Sequence, residues 1–67
     1  MYSIIQIYTN DDYKVRYISQ EPLEIYKMYN KLKPIILSNG ANNKIIINDC
    51  VNNKIISFNK IKDLLKI

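Results

Sequence analysis

Cys50 is the only cysteine in these 67 residues and histidine is absent, so the chain has almost nothing with which to staple itself. One thiol forbids an intrachain disulfide, and a metal would need that thiolate plus scattered carboxylates. A domain of this length buries only about 60% of the surface its unfolded chain exposes, and one such core supplies roughly 3–5 kcal/mol. What remains is apolar burial, supplemented by self-association. No cofactor and no metal is expected.

The apolar residues fall into short runs separated by turn chemistry. "YSIIQIYT" (2–9) and "YKVRYIS" (13–19) are rich in β-branched and aromatic side chains and alternate as strands do. Between them lies "NDD", whose side chains tolerate left-handed backbone and bond locally, so a hairpin is expected with Tyr8 facing Tyr13. That register places Ile4, Gln6, Tyr8, Tyr13, Val15 and Tyr17 on one face and Ile5, Ile7, Lys14, Arg16 and Ile18 on the other. Neither face is purely apolar. Tyrosine can bury its ring while its hydroxyl stays wet, so the pattern leaves open which face meets the core.

"SQEPLEIYKMYNKLKP" (19–34) predicts a helix. Ser19 offers an N-cap, Glu21 and Glu24 suit the positive end of the helix dipole, and Pro22 is tolerated in the first turn. Lys31 and Lys33 suit the negative end, and Pro34 is expected to stop the element. Ile25, Met28, Tyr29 and Leu32 share one stripe at 3.6-residue spacing, which should dock on a sheet face while Lys27 and Lys31 meet water.

Beyond Pro34, "IILS" reads as a third strand leading to a turn at Asn39–Gly40, the strongest hairpin dipeptide in the chain. "KIIIND" and "KIISFN" read as two further strands, each following an Asn-Asn-Lys turn. A two-residue turn at Asn52–Asn53 would set Val51 against Lys54, Asp49 against Ile56 and Ile47 against Phe58. The echo between these segments is a meander written twice, since a solenoid needs at least three copies. In the tail, Ile61, Leu64 and Leu65 after an Asn59 cap favour a short helix over the alternation of Ile61, Leu65 and Ile67. The expected fold is a single compact α+β domain over 1–67, ββαβββ(α), with a mostly antiparallel sheet covered on one face by the central helix.

Composition weakens any argument from lysine. Ile (14), Asn (9), Lys (9) and Tyr (6) make up 38 of 67 residues, while Gly and Ala occur once each, the mark of an A/T-rich genome. The net charge is +4. Residues 1–33 carry five Lys/Arg against four acids, or +1, and residues 34–67 carry five Lys against two acids, or +3. Such a balance serves solubility as readily as phosphate binding. No run of 18 apolar residues and no leader pattern is seen, so a cytoplasmic location without a membrane partner is expected, in the host cell if the protein is viral.

Catalysis is not expected. There is no histidine to act as a base, only Gly40 for a phosphate loop, and no nucleophile beside an activator. Asp11 and Asp12 sit in a solvated turn, and nothing draws Asp49 and Asp63 together. Cys50 beside Asp49 reads as a small buried or half-buried thiol, with a disulfide across a dimer as its other use.

Two binding surfaces can be drawn. Tyr8, Tyr13 and Tyr17 on one hairpin face, with Lys14 and Arg16 projecting to the opposite face, offer an aromatic anchor and charged orienting groups of the kind protein interfaces use. Lys54, Lys60, Lys62 and Lys66 offer a basic set for nucleic acid. From residue 22 onward the expected order α-β-β-β-α, with lysines in "SFNKIKDLLK", resembles the double-stranded RNA-binding domain, although that family's Gly-Pro loop and clustered lysine motif are missing. In size and composition the chain is similar to the small accessory proteins that phages and viruses make to block host defence, anti-CRISPR proteins among them. The leading expectation is therefore a non-enzymatic protein-binding module. Its partner would be a host protein or protein–nucleic acid complex, with homodimerisation through a tyrosine-bearing sheet face or an open strand edge. Nucleic acid is the alternative partner.

Overall fold

The β-branched and aromatic runs at the N-terminus do form strands. A computed structural model describes residues 1–38 and 43–65, in the order β1 (Tyr2–Ile7), β2 (Tyr13–Ser19), α1 (Pro22–Ser38), β3 (Lys44–Asp49), β4 (Lys54–Ile56) and α2 (Phe58–Leu64). The four strands make one antiparallel sheet ordered β2-β1-β3-β4. Helix α1 carries the chain from the β2 edge across β1 to β3, so both helices lie on one side of the sheet. Ile4, Ile25, Ile47 and Ile61 meet there fully buried, one each from β1, α1, β3 and α2. None of the helices is long and apolar enough to cross a membrane among the described residues.

The predicted strand at 35–38 is instead the last turn of α1, which runs through Pro34. Ile36 explains this. It extends the stripe Ile25, Tyr29, Leu32 by four residues and is buried, a gain of about 1.5–3 kcal/mol that offsets the hydrogen bond Pro34 cannot make. Pro34 and Asn30, whose carbonyl loses its donor, are both exposed, so water can satisfy that oxygen. Lys31 and Lys33 consequently lie inside the helix, and its last turn has no basic residue. The Asn39–Gly40 turn lies outside the described residues. With two strands after α1 rather than three among the described residues, the order departs from that of the double-stranded RNA-binding domain.

Both helix caps fall elsewhere than expected. Ser19 Oγ accepts the Glu21 N–H at 3.0 Å, closing a turn just before α1, while the Glu21 carbonyl takes the first helical bond from Ile25 N. Ser57, not Asn59, caps α2: its backbone is extended and its Oγ accepts from Lys60 N at 3.1 Å. The tail is helical as expected, and Phe58 begins it rather than ending a strand. Its ring stacks on Tyr29 at 4.5 Å and Tyr26 at 5.3 Å between centroids, tying α2 to α1. Once Phe58 is committed to that stack, β4 can extend only to Ile56.

The second hairpin has a four-residue loop, Cys50–Asn53, and pairs Asp49 with Lys54 and Ile47 with Ile56. Asp49 selects this loop over the expected two-residue turn. Its carboxylate accepts from Val51 N (3.1 Å), Asn52 N (3.2 Å) and Asn52 Nδ2 (2.8 Å), while Asn53 takes the left-handed conformation at φ 53°.

Candidate interaction surface

The side of the sheet away from the helices is where the first hairpin departs most from expectation. Its loop closes one residue earlier than Tyr8 facing Tyr13: Tyr8 N donates to Asp12 O at 2.8 Å, Asp11 adopts φ 68°, and Ile7 pairs with Tyr13. Asn10 Oδ1 accepts from Asp12 N at 3.2 Å, so the "NDD" chemistry operates as read. Beyond Val15 the register slips by one, and Ile4 pairs with Tyr17 as expected. Arg16 is the extra residue of this β-bulge.

One bulge re-sorts the faces. Near the loop, Lys14 stands beside Gln6 on the helix side, and Tyr13 and Val15 stand beside Ile7 and Ile5 on the outer side. Arg16 turns to the helix side, where its Nε donates to Gln6 Oε1 at 2.7 Å and its second nitrogen donates to the same oxygen. Tyr17 packs on the core. The anchor set Tyr8, Tyr13, Tyr17, Lys14 and Arg16 is thus divided: Tyr8, Tyr13 and Lys14 border one open depression at the hairpin end, while Tyr17 and Arg16 lie toward the helices.

On the outer face the register gathers Ile5, Ile7, Tyr13, Val15, Ile18, Ile46 and Ile55, with Ser3 and Asn48 between them. Tyr13 (71%), Ile55 (65%), Ile18 (55%) and Val15 (44%) are substantially exposed, which large apolar side chains of a sheet are not when a helix covers them. Ile5, Ile7, Ile46 and Ile55 line a shallow open depression of about 350 Å³ with Asp11, Tyr13 and Asn48. Sequence reading missed Ile46 and Ile55 as surface residues because "KIIIND" and "KIIS" are apolar on consecutive positions, and such runs do not say which side faces outward. Among the described residues, the charged side chains placed on this face are Asp11 and Lys44.

The basic set is only partly assembled. Lys54 and Lys60 border a third depression, of about 310 Å³, with Tyr2, Asp49, Asn52, Ile56 and Leu64. Lys62 is exposed on α2, and Lys66 lies outside the described residues. Asp49 has its carboxyl held below the usual 3.8 by the Asn52 side chain first, then by the Asn52 and Val51 amides, so it serves the loop as an anion. Cys50 is exposed rather than buried, with Sγ 3.6 Å from Ser3 Oγ.

No protein-family model matches the chain, and no curated protein and no solved structure matches it either.

Proposed function

We propose that the chain is a non-enzymatic protein-binding module that works by laying the outer face of its sheet on another protein. Its size and A/T-rich coding suit a small phage or viral accessory protein that inhibits or modulates a host factor in the host cytoplasm, as anti-CRISPR proteins do. One observation carries the reading: a sheet face bearing Ile5, Ile7, Tyr13, Val15, Ile18, Ile46 and Ile55 with no helix over it among the described residues. Soluble monomers rarely leave contiguous apolar patches beyond a few hundred Å² unless something binds there. The face also has the composition of an interface centre, aromatic and aliphatic with charge at its margin.

A second reading has its own observation. Lys54 and Lys60 converge on one depression beside Tyr2, which suits a phosphate-bearing strand.

Two paired variants separate these. Val15→Lys and Ile55→Lys charge the sheet face, and Lys54→Glu and Lys60→Glu reverse the basic depression. Tagged wild-type protein is used to capture partners from host lysate, which are identified by mass spectrometry and rebuilt from purified components. The protein-binding reading expects the complex to be lost with the first pair and kept with the second. If generic RNA or DNA instead binds at micromolar strength or tighter near about 0.15 M salt, weakening steeply as salt rises and failing with Lys54→Glu, the leading reading is overturned.

A further inference from the structure

Resting on that reading of the outer face, we infer that in the protein by itself the face is covered by the same face of a second copy, about a two-fold axis parallel to the strands. The first argument is charge. The chain carries +4, yet among the described residues the face has one cationic side chain, Lys44, and one anionic, Asp11. An acidic partner would find little to pair with, whereas an identical neutral face meets no repulsion.

The second argument is register. The sheet centre lies between β1 and β3, so a strand-parallel two-fold lays β1 over the partner's β3 and β2 over its β4, keeping each residue's height along the strand. Ile18 and Ile55 both stand at the height of Ser3 and Asn48, so each covers the other across the axis. Ile5 falls over the partner's Ile46 in the same way, and Ser3 over the partner's Asn48. Asp11 and Lys44 occupy the same end of the sheet on opposite sides of its midline, so the rotation brings each Asp11 to the partner's Lys44. A two-fold perpendicular to the strands would send the partner's Asp11 and Lys44 to the far end, out of reach of those of the first copy. Aligned strands are also the usual arrangement for two sheets packed face to face.

The third argument is area. Three strands of six or seven residues and the three-residue β4, about 4.8 Å apart, give a face of roughly 350 Å² in plan, more once side-chain relief is counted. Two such faces stay below the total of about 1,200 Å² at which specific, stable interfaces begin, so a weak dimer, with a Kd on the order of 100 µM, is expected.

Sedimentation velocity from about 5 to about 500 µM tests this. The wild-type mass should rise from 7.9 kDa toward twice that value. Ile55→Lys should remain a monomer throughout, with unchanged circular dichroism and urea midpoint. Asp11→Lys and Lys44→Asp should each weaken the dimer at least about fivefold, and the double swap should restore it. A wild-type mass of 7.9 kDa at every concentration overturns the dimer, as does a dimer that Ile55→Lys leaves intact, and a double swap no better than the singles overturns the strand-parallel axis. A monomeric wild type that still loses its captured partner with Val15→Lys refutes the dimer and leaves the proposed function standing. A dimer whose Val15→Lys variant captures partners normally refutes that function for this face and leaves the dimer standing.

Discussion

Gln6 Oε1 accepts a hydrogen bond from Arg16 Nε at 2.7 Å across the first hairpin. Gln6 is 1% exposed on the core side of β1, and the bulge that makes Arg16 supernumerary also turns it toward that buried oxygen. Arg16→Ala should leave the acceptor without this donor and lower stability by about 1–2 kcal/mol. Gln6→Leu removes the need for the donor, and Arg16 can hydrate, so its cost should stay under about 1 kcal/mol. Urea unfolding of the two variants reads the contrast; equal losses would mean the bond contributes nothing particular.

Ile61 is fully buried between α2 and the sheet. Ile61→Ala should cost about 2–4 kcal/mol, close to the whole stability of a domain this small. Circular dichroism at 25 °C should find it largely unfolded. A cooperative melt within a few degrees of wild type would show that α2 is dispensable to the core.

Capping at Ser57 predicts an asymmetry between near neighbours. Ser57→Ala should cost about 1 kcal/mol, and Asn59→Ala, exposed inside α2, should fall within about 0.5 kcal/mol of wild type. Thermal melts of both variants decide whether the helix starts where the cap places it.

Pro34 lies inside α1 on its exposed side. Alanine there restores a donor to the Asn30 carbonyl, so Pro34→Ala should raise stability by about 1–2 kcal/mol after the looser unfolded chain is allowed for. A lower melting temperature instead would place the end of α1 at Pro34.

Asp49 couples the second hairpin to pH. Its folded carboxyl titrates below the ordinary 3.8, so its contribution is complete above that value and disappears as pH falls through the lowered one. Asp49→Ala should be less stable than wild type at neutral pH, and the two urea midpoints should converge as pH falls below 3.8. A difference independent of pH would mean that the loop is held by something other than the anion.

Much of the architecture was legible in short-range chemistry. Strand propensity at 2–7 and 13–19, the Asn10–Asp12 turn and the stripe from Ile25 to Leu32 each involve neighbours within one turn or one pleat, where local sterics and hydrogen bonding decide. The basic candidates were less legible, because Lys54 and Lys60 border one depression only once α2 is docked, a placement no spacing announces. The tyrosine set is divided between the two faces for a related reason: alternation was counted straight through Arg16, and a bulge reverses that count.

By itself, the order of residues determined an α+β chain with no intrachain disulfide, marginal core size and turns at its Asn and Asp clusters. Tertiary packing decided the rest. Burial of Ile36 carried α1 through Pro34, the stack of Phe58 on Tyr26 and Tyr29 ended β4 and began α2, and the bulge at Arg16 sent Tyr13 and Val15 outward. Each of those outcomes depends on residues distant in sequence, whose burial outweighs preferences of about 1 kcal/mol per residue that local patterns express.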